Sequence, residues 1–249
     1  MTNKKIVSFL FSAIIAAQFF SGAYSASPTR LEVCGVGSQD LQSHTGSDKE
    51  RFIFELSDKL GIPAEKFKFN LDGKQYDLVP IHDVQEHVEC MKDIFVFSNP
   101  DYMKYYLSGK LFSEDYVENW IKFSEMRMQE AFPKSFTFIV YSGDEAIGRI
   151  GVGPLKKVDE TYPEIGYALK ESYSGKGITK AAVKRTLEIL KALNEHKSEN
   201  YDMERLRATA KVDNIASNTI LKGLGFKLSD HLVNDGFGEE NEYFYMFDR

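Results

Sequence analysis

Between residues 47 and 81 the spacing of apolar side chains changes once, and the change marks two elements. Phe52, Ile53, Leu56 and Leu60 recur at helical spacing. They follow Ser47-Asp48-Lys49-Glu50, an S-x-x-E pattern in which Ser and Glu can each satisfy a free backbone N–H, and Gly61 with Pro63 ends the helix. Phe67-Lys68-Phe69-Asn70-Leu71 then alternates, Asp72-Gly73 supplies a turn, and Tyr76 to Ile81 returns, which predicts a hairpin. From 83 to 130 the pattern is helical: Val84, Val88 and Met91 share a face, and Ser113 caps a helix bearing Val117, Trp120, Ile121 and Met128. Two strands, Phe136 to Tyr141 and Ala146 to Val152, join through Ser142-Gly143-Asp144, and Glu164 to Leu169 is a further strand.

Thr179 to Asn194 is the most regular segment. Ala182, Val183, Thr186, Leu187, Leu190 and Leu193 face one way, and Lys180, Lys184, Glu188 and Lys191 the other. Leu206, Ala208 and Ala210 alternate, residues 215–224 form a short helix stopped by Gly225, and Glu242 to Phe247 is a closing strand. Helices and strands are mixed and several strands are hairpin-linked, so the class is α+β with a mixed sheet.

The N-terminus has a separate logic. Lys4-Lys5, an uncharged apolar run from Ile6 to Phe20, and small residues at Ser21 to Ala26 make an export signal with a cut after Ser25. Ser8, Ser12 and Gln18 interrupt the run, which falls short of the ~20 apolar residues a spanning helix needs, so no membrane span is expected after cleavage. The expected destination is secreted or periplasmic, with delivery into another cell as one route. Residues 26–47, rich in Ser, Gly and Thr, read as a linker.

Composition narrows the function. With 249 residues, 43% hydrophobic and 27% charged, this is an ordinary soluble globular chain. Its net charge of −6 argues against nucleic acid as a partner and suits a cationic or amine substrate. Cys34 and Cys90 are two plain thiols or one optional disulfide. Without a CxxC, and with five scattered histidines, no metal site is expected.

Chemistry concentrates in Glu164-Ile165-Gly166-Tyr167-Ala168-Leu169, the loop Tyr173-Ser174-Gly175-Lys176-Gly177-Ile178-Thr179, and the helix that follows. A strand running through a glycine-bearing loop into a helix N-terminus presents free N–H groups to an anion, and the helix dipole adds positive potential. Taken alone, the loop reads equally as a tight turn with surface lysines. It is no Walker A loop, because Gly175-Lys176 precedes Gly177 and Lys170 stands where the first glycine belongs. Gly148-Arg149-Ile150-Gly151-Val152-Gly153 has its glycines in the wrong order for dinucleotide binding and marks close backbone packing instead.

The loop resembles the Q/R-x-x-G-x-G/A pyrophosphate loop of GNAT acyltransferases, above all in the ribosomal-protein N-terminal acetyltransferase branch. Asn214-Ile215-Ala216-Ser217, Leu221-Lys222-Gly223-Leu224-Gly225-Phe226, Pro100-Asp101-Tyr102-Met103-Lys104-Tyr105 and Asn119-Trp120-Ile121 extend the likeness in order. It covers roughly residues 75–249. The division implied is 1–25 signal peptide, 26–74 extension with linker and one helix, and 75–249 GNAT domain, with a mixed, mostly antiparallel sheet flanked by helices.

The resemblance also implies roles. Gly166, Tyr167 and Ala168 would pair with the pantetheine of acetyl-CoA and polarise its thioester. Ser174, Gly175, Lys176, Gly177, Ile178 and Thr179 would hold the pyrophosphate, and Asn214 the pantetheine. Ser217 would protonate the departing thiolate and Glu164 would take the amine proton, directly or through water. Read without the resemblance, Ser217 is a capping or surface serine and Glu164 a solvated strand-end carboxylate. Leu221 stands where many relatives carry a tyrosine, and Ser174 where this branch has tryptophan. The expected reaction is metal-free acetyl transfer to a primary amine: a protein N-terminus, lysine, polyamine or small molecule. The alternative is a non-catalytic module of the same fold that binds CoA or a protein.

Overall fold

The computed structural model describes residues 48–106, 109–155, 162–195, 201, 203–234 and 238–247; the expected export signal, the linker and Cys34 lie outside them. Helix α1 (Asp48–Leu60) ends at Gly61, whose φ of 64° needs a glycine. β1 (Lys68–Leu71) and β2 (Lys74–Pro80) form the expected hairpin around Asp72 and Gly73, both at positive φ (50° and 76°). α2 (Gln85–Phe95) is followed by a 3-10 turn, Met103–Tyr105, and α3 (Glu114–Gln129) comes later. Ser113 does cap α3, its Oγ accepting from the Tyr116 N–H at 3.3 Å. β3 (Phe136–Ser142), β4 (Glu145–Gly153), β5 (Glu164–Leu169), α4 (Ile178–Glu195), β6 (Arg205–Lys211), α5 (Ile215–Gly223), β7 (Lys227–Asn234) and β8 (Glu239–Met246) complete the chain.

The eight strands form one sheet in the order β1-β2-β3-β4-β5-β6-β8-β7, antiparallel everywhere except between β5 and β6. This is the mixed, mostly antiparallel architecture expected, with five α-helices around it among the described residues. β1 and β2 are the sheet's outer strands on one side, so residues from 68 onward are continuous with it.

β7 was not anticipated. Its sequence, KLSDHLVN, has no alternation, and it lies at the outer edge with almost every residue exposed, so no buried face imprints a period of two.

Register sorts the residues of the central strands onto two faces. Arg149 pairs with Ala168, Gly151 with Gly166, Glu164 with Arg207, and Lys211 with Glu240, all on one face. That face meets α3, since the Arg149 guanidinium lies 4.5 Å from the Trp120 ring, and α2, where Glu86 accepts from the Tyr141 hydroxyl at 3.0 Å. The opposite face carries Ile150, Tyr167 and Tyr243 and meets α5, where Asn218 Oδ1 accepts from the Tyr243 hydroxyl at 2.6 Å. α4 lies on that side too, with Lys191 over the Tyr245 ring. Its inward residues are the predicted ones with Ile178 and Ile189 added. Completely buried Leu78, Ile139, Ile147, Val183 and Leu190 run through both layers; each contributes about 1.5–3 kcal/mol by leaving water.

Candidate active site

β5 and β6 touch at a single register pair, Glu164 with Arg207, where the Arg207 N–H donates to the Pro163 carbonyl at 2.7 Å. Beyond it the described strands diverge, and a cleft of about 730 Å³ opens between them. Every residue assigned a role from sequence lines that cleft: Glu164, Gly166, Tyr167, Ala168, Ser174 to Thr179, Asn214 and Ser217.

The wall formed by α4 and α5 is made of backbone. Gly175 and Gly177 sit at φ 74° and 76°, and a side chain at Gly175 would meet nothing within 4 Å. The first backbone hydrogen bond of α4 runs from the Ala181 N–H to the Gly177 carbonyl. The N–H groups from Gly175 to Lys180 find no acceptor among the described residues, so they are available to an anion at the helix's positive end. Lys176 donates to the Ser172 carbonyl at 2.8 Å and braces the loop. Tyr102 donates to the Leu169 carbonyl at 3.2 Å, and its hydroxyl, pushed up by burial, also bonds Ser174.

Asn214 is the N-cap of α5, its Oδ1 accepting from the Ser217 N–H at 3.1 Å, which leaves the amide nitrogen for a ligand. Ser217 faces Tyr167, whose phenol is pushed up to about 12 by burial and bonds the Ser217 hydroxyl. Leu221 is fully buried in the core. Asn218 holds this helix start on the sheet, donating to the Lys211 carbonyl and accepting from Asn241 and Tyr243.

The facing wall is made of charged side chains. Glu164 is 5% exposed, not solvated, because Arg207 on β6 reaches its Oε2 and also bonds Glu242 at 2.7 Å. Lys211 pairs with buried Glu240 at 3.3 Å, and Glu240 Oε2 has no hydrogen-bond partner. Arg149, 3% exposed, also reaches the cleft. Tyr106, raised by burial, feels the charges of both Arg149 and Glu164. At the mouth, the Tyr105 hydroxyl donates to the Asp213 carbonyl at 3.2 Å, tying the 3-10 turn to the residue before Asn214.

Arg149 and Glu240 were missed from sequence. The glycines around Arg149 drew attention first, and they do mark tight packing: a Cβ on Gly148 would collide with Leu169, and one on Gly153 would stand 2.7 Å from Ser135. Buried Cys90 is a weak acid, its thiol pushed up to about 12 by burial. No group of three or more His, Cys, Asp or Glu among the described residues is placed to hold a metal ion, and no described helix is long and apolar enough to cross a membrane.

Comparison with known proteins agrees with this geometry. The chain is 28% identical over 183 residues to the ribosomal-protein-serine acetyltransferase of Escherichia coli K12, covering 70% of this chain and 96% of that one. The ribosomal-protein-S5-alanine acetyltransferase of Vibrio fischeri superposes with a TM-score of 0.53 at 18% identity, covering 73% and 97% of the two chains. The RimJ protein of Mycobacterium smegmatis in complex with CoA-disulfide superposes at 0.55 and 16% identity, covering 72% and 85%. Residues 84–227, more than half the chain, match the acetyltransferase (GNAT) domain, and the chain belongs to that family of N-acetyltransferases.

Proposed function

We propose that the protein transfers the acetyl group of acetyl-CoA to a primary amine, with a protein N-terminus as the first acceptor class to test. The observation that carries this reading is the cleft at the β5–β6 divergence, which gathers on one surface every residue assigned a role from sequence. Free N–H groups of the 174–179 loop would take the pyrophosphate, and the unpaired edge of Gly166–Ala168 would bond the pantetheine and polarise the thioester. The amine would attack from the charged wall. Glu164 is proposed as the base and Ser217 as the proton donor to the thiolate, with the Tyr167 phenol behind it. The names of the Escherichia coli and Vibrio fischeri relatives support an α-amine acceptor.

Thiol release from acetyl-CoA, followed with and without peptides bearing free N-termini, tests this. Release that needs both substrates is expected. None with any amine would favour the binding-module reading, for which buried Leu221 in place of a tyrosine speaks. Glu164→Gln should lower kcat by ~10²-fold or more near neutral pH and less at high pH, where the amine is already deprotonated. Should Glu240→Gln show that signature instead, the base is Glu240. Residues 1–25 are proposed as an export signal on sequence grounds; mass spectrometry of exported protein should find Ala26 first.

A further inference from the structure

The charged wall contains one cation without a counter-charge. Arg207 is held by Glu164 and Glu242, and Lys211 by Glu240. Arg149 has no carboxylate within ion-pairing distance among the described residues, and its Nε has no hydrogen-bond partner. It is nevertheless 3% exposed and reaches the cleft. A guanidinium cannot shed its charge when buried, so an unmatched one is costly unless something compensates it. The Trp120 ring 4.5 Å away compensates in part and fixes the orientation.

That orientation is informative. A Cβ on Gly151 would run into the guanidinium, so the fork folds back along β4 and lies over Gly151. Across the strands Gly151 faces Gly166, and a Cβ there would meet nothing within 4 Å. The fork therefore borders an open floor, one strand spacing (about 5 Å) from the segment assigned to the thioester. The other charged groups lining the cleft near it are the carboxylates of Glu164 and Glu240, already paired, with Asp101 also in the lining.

We infer that Arg149 is the acceptor's anion-recognition residue, and that the acceptor carries a carboxylate within a few bonds of the amine that is acetylated. This rests on the acetyl-transfer reading and adds the substrate class. A planar fork matches a carboxylate with two parallel hydrogen bonds, and the wall's carboxylates draw the ammonium to the opposite side. A polyamine, cationic throughout, is disfavoured by the same arginine. Two sources supply the chemistry: an N-terminal Asp or Glu of a peptide, and a free amino acid.

The test compares Asp-initiated with Asn-initiated peptides of otherwise identical sequence, alongside free aspartate, on wild type, Arg149→Met and Arg149→Lys. Wild type should prefer Asp over Asn by at least tenfold in kcat/KM, through KM. Arg149→Met, which keeps an apolar stem against Trp120, should bring the ratio to about one, with Arg149→Lys between. Melting temperature and acetyl-CoA affinity serve as controls for folding. Turnover of aspartate rather than the peptide names the free amino acid as the source. Calorimetric binding of the same two peptides to the CoA-loaded protein reads the preference without turnover, so an inactive protein would sink the transfer reading and leave this test standing. Equal treatment of Asp and Asn peptides by wild type, in binding and turnover, overturns the inference. So does an Arg149→Met defect in kcat that is the same for both.

Discussion

On the α4–α5 side of the cleft the polar surface is backbone; on the α2–α3 side it is side chain. The first is a glycine loop and a helix start, with contiguous N–H groups fixed by φ angles and by a cap on Ser217. The second is five charged residues from four strands, Arg149, Glu164, Arg207, Lys211 and Glu240, all but Arg149 held in ion pairs with one another. A backbone surface can be changed only by altering its conformation, and suits a ligand that never varies. A side-chain surface changes with each substitution, and suits the ligand on which specificity depends. The difference also decides how each side fails: one through affinity, the other through stability and charge.

The hardest blow to the charged side is Arg207→Met. It takes their shared cation from the buried Glu164 and the half-buried Glu242 carboxylates, and denaturant unfolding should show a loss of about 3–5 kcal/mol. Adding Glu164→Gln should recover part of it, and no loss would mean that the network contributes nothing to the fold. Next comes proton sensitivity on the same face. Burial lowers His87 on α2 from 6.5 to about 4, so the unfolded chain takes a proton that the folded one refuses. Stability is full above pH 6.5, falls as pH drops towards 4 and levels off below. The contribution at stake is about 3 kcal/mol, and the slope should vanish in His87→Gln.

Gly175→Asp attacks the backbone side. A carboxylate placed against the pyrophosphate, at φ 74°, should weaken acetyl-CoA by about 1–3 kcal/mol, or roughly five- to 150-fold in Kd by calorimetry, with little change in melting temperature. An equal drop in stability would erase the contrast between the sides. The smallest effect is expected for Asn214→Ala, which removes the cap on the Ser217 N–H: about 1 kcal/mol, read by unfolding with and without CoA.

The backbone side was legible in the sequence because its parts are neighbours in the chain. Gly175, Gly177 and the helix start lie within six residues, and Asn214 with Ser217 within one turn, so local spacing carries the geometry. The same holds for the Asp72-Gly73 hairpin and the Ser113 cap. The charged side was not, since it exists only after the sheet is assembled. β4 is buried on both faces, so Arg149 breaks no alternation, and what sets it apart is Trp120 on α3 and Gly166 on β5. Glu164 looked solvated because its partner Arg207 sits on β6 and is itself held by Glu242 on β8, beyond the reach of any local window. β7 escaped for the opposite reason: too little of it is buried for a pattern to form.

The seam between β5 and β6 divides the sheet into two leaves, β1 to β5 and β6 to β8, joined by one backbone rung bolted from the side by Arg207. A ligand whose own amides span the seam would serve as a borrowed strand shared by both leaves. Occupancy at a hundred times Kd would then add about 2.7 kcal/mol to the resistance of each leaf to opening, by mass action alone. Amide exchange in β8, on the far side of the seam from β5, should therefore slow in step with that in β5, and the empty molecule should loosen along this seam before either leaf unravels.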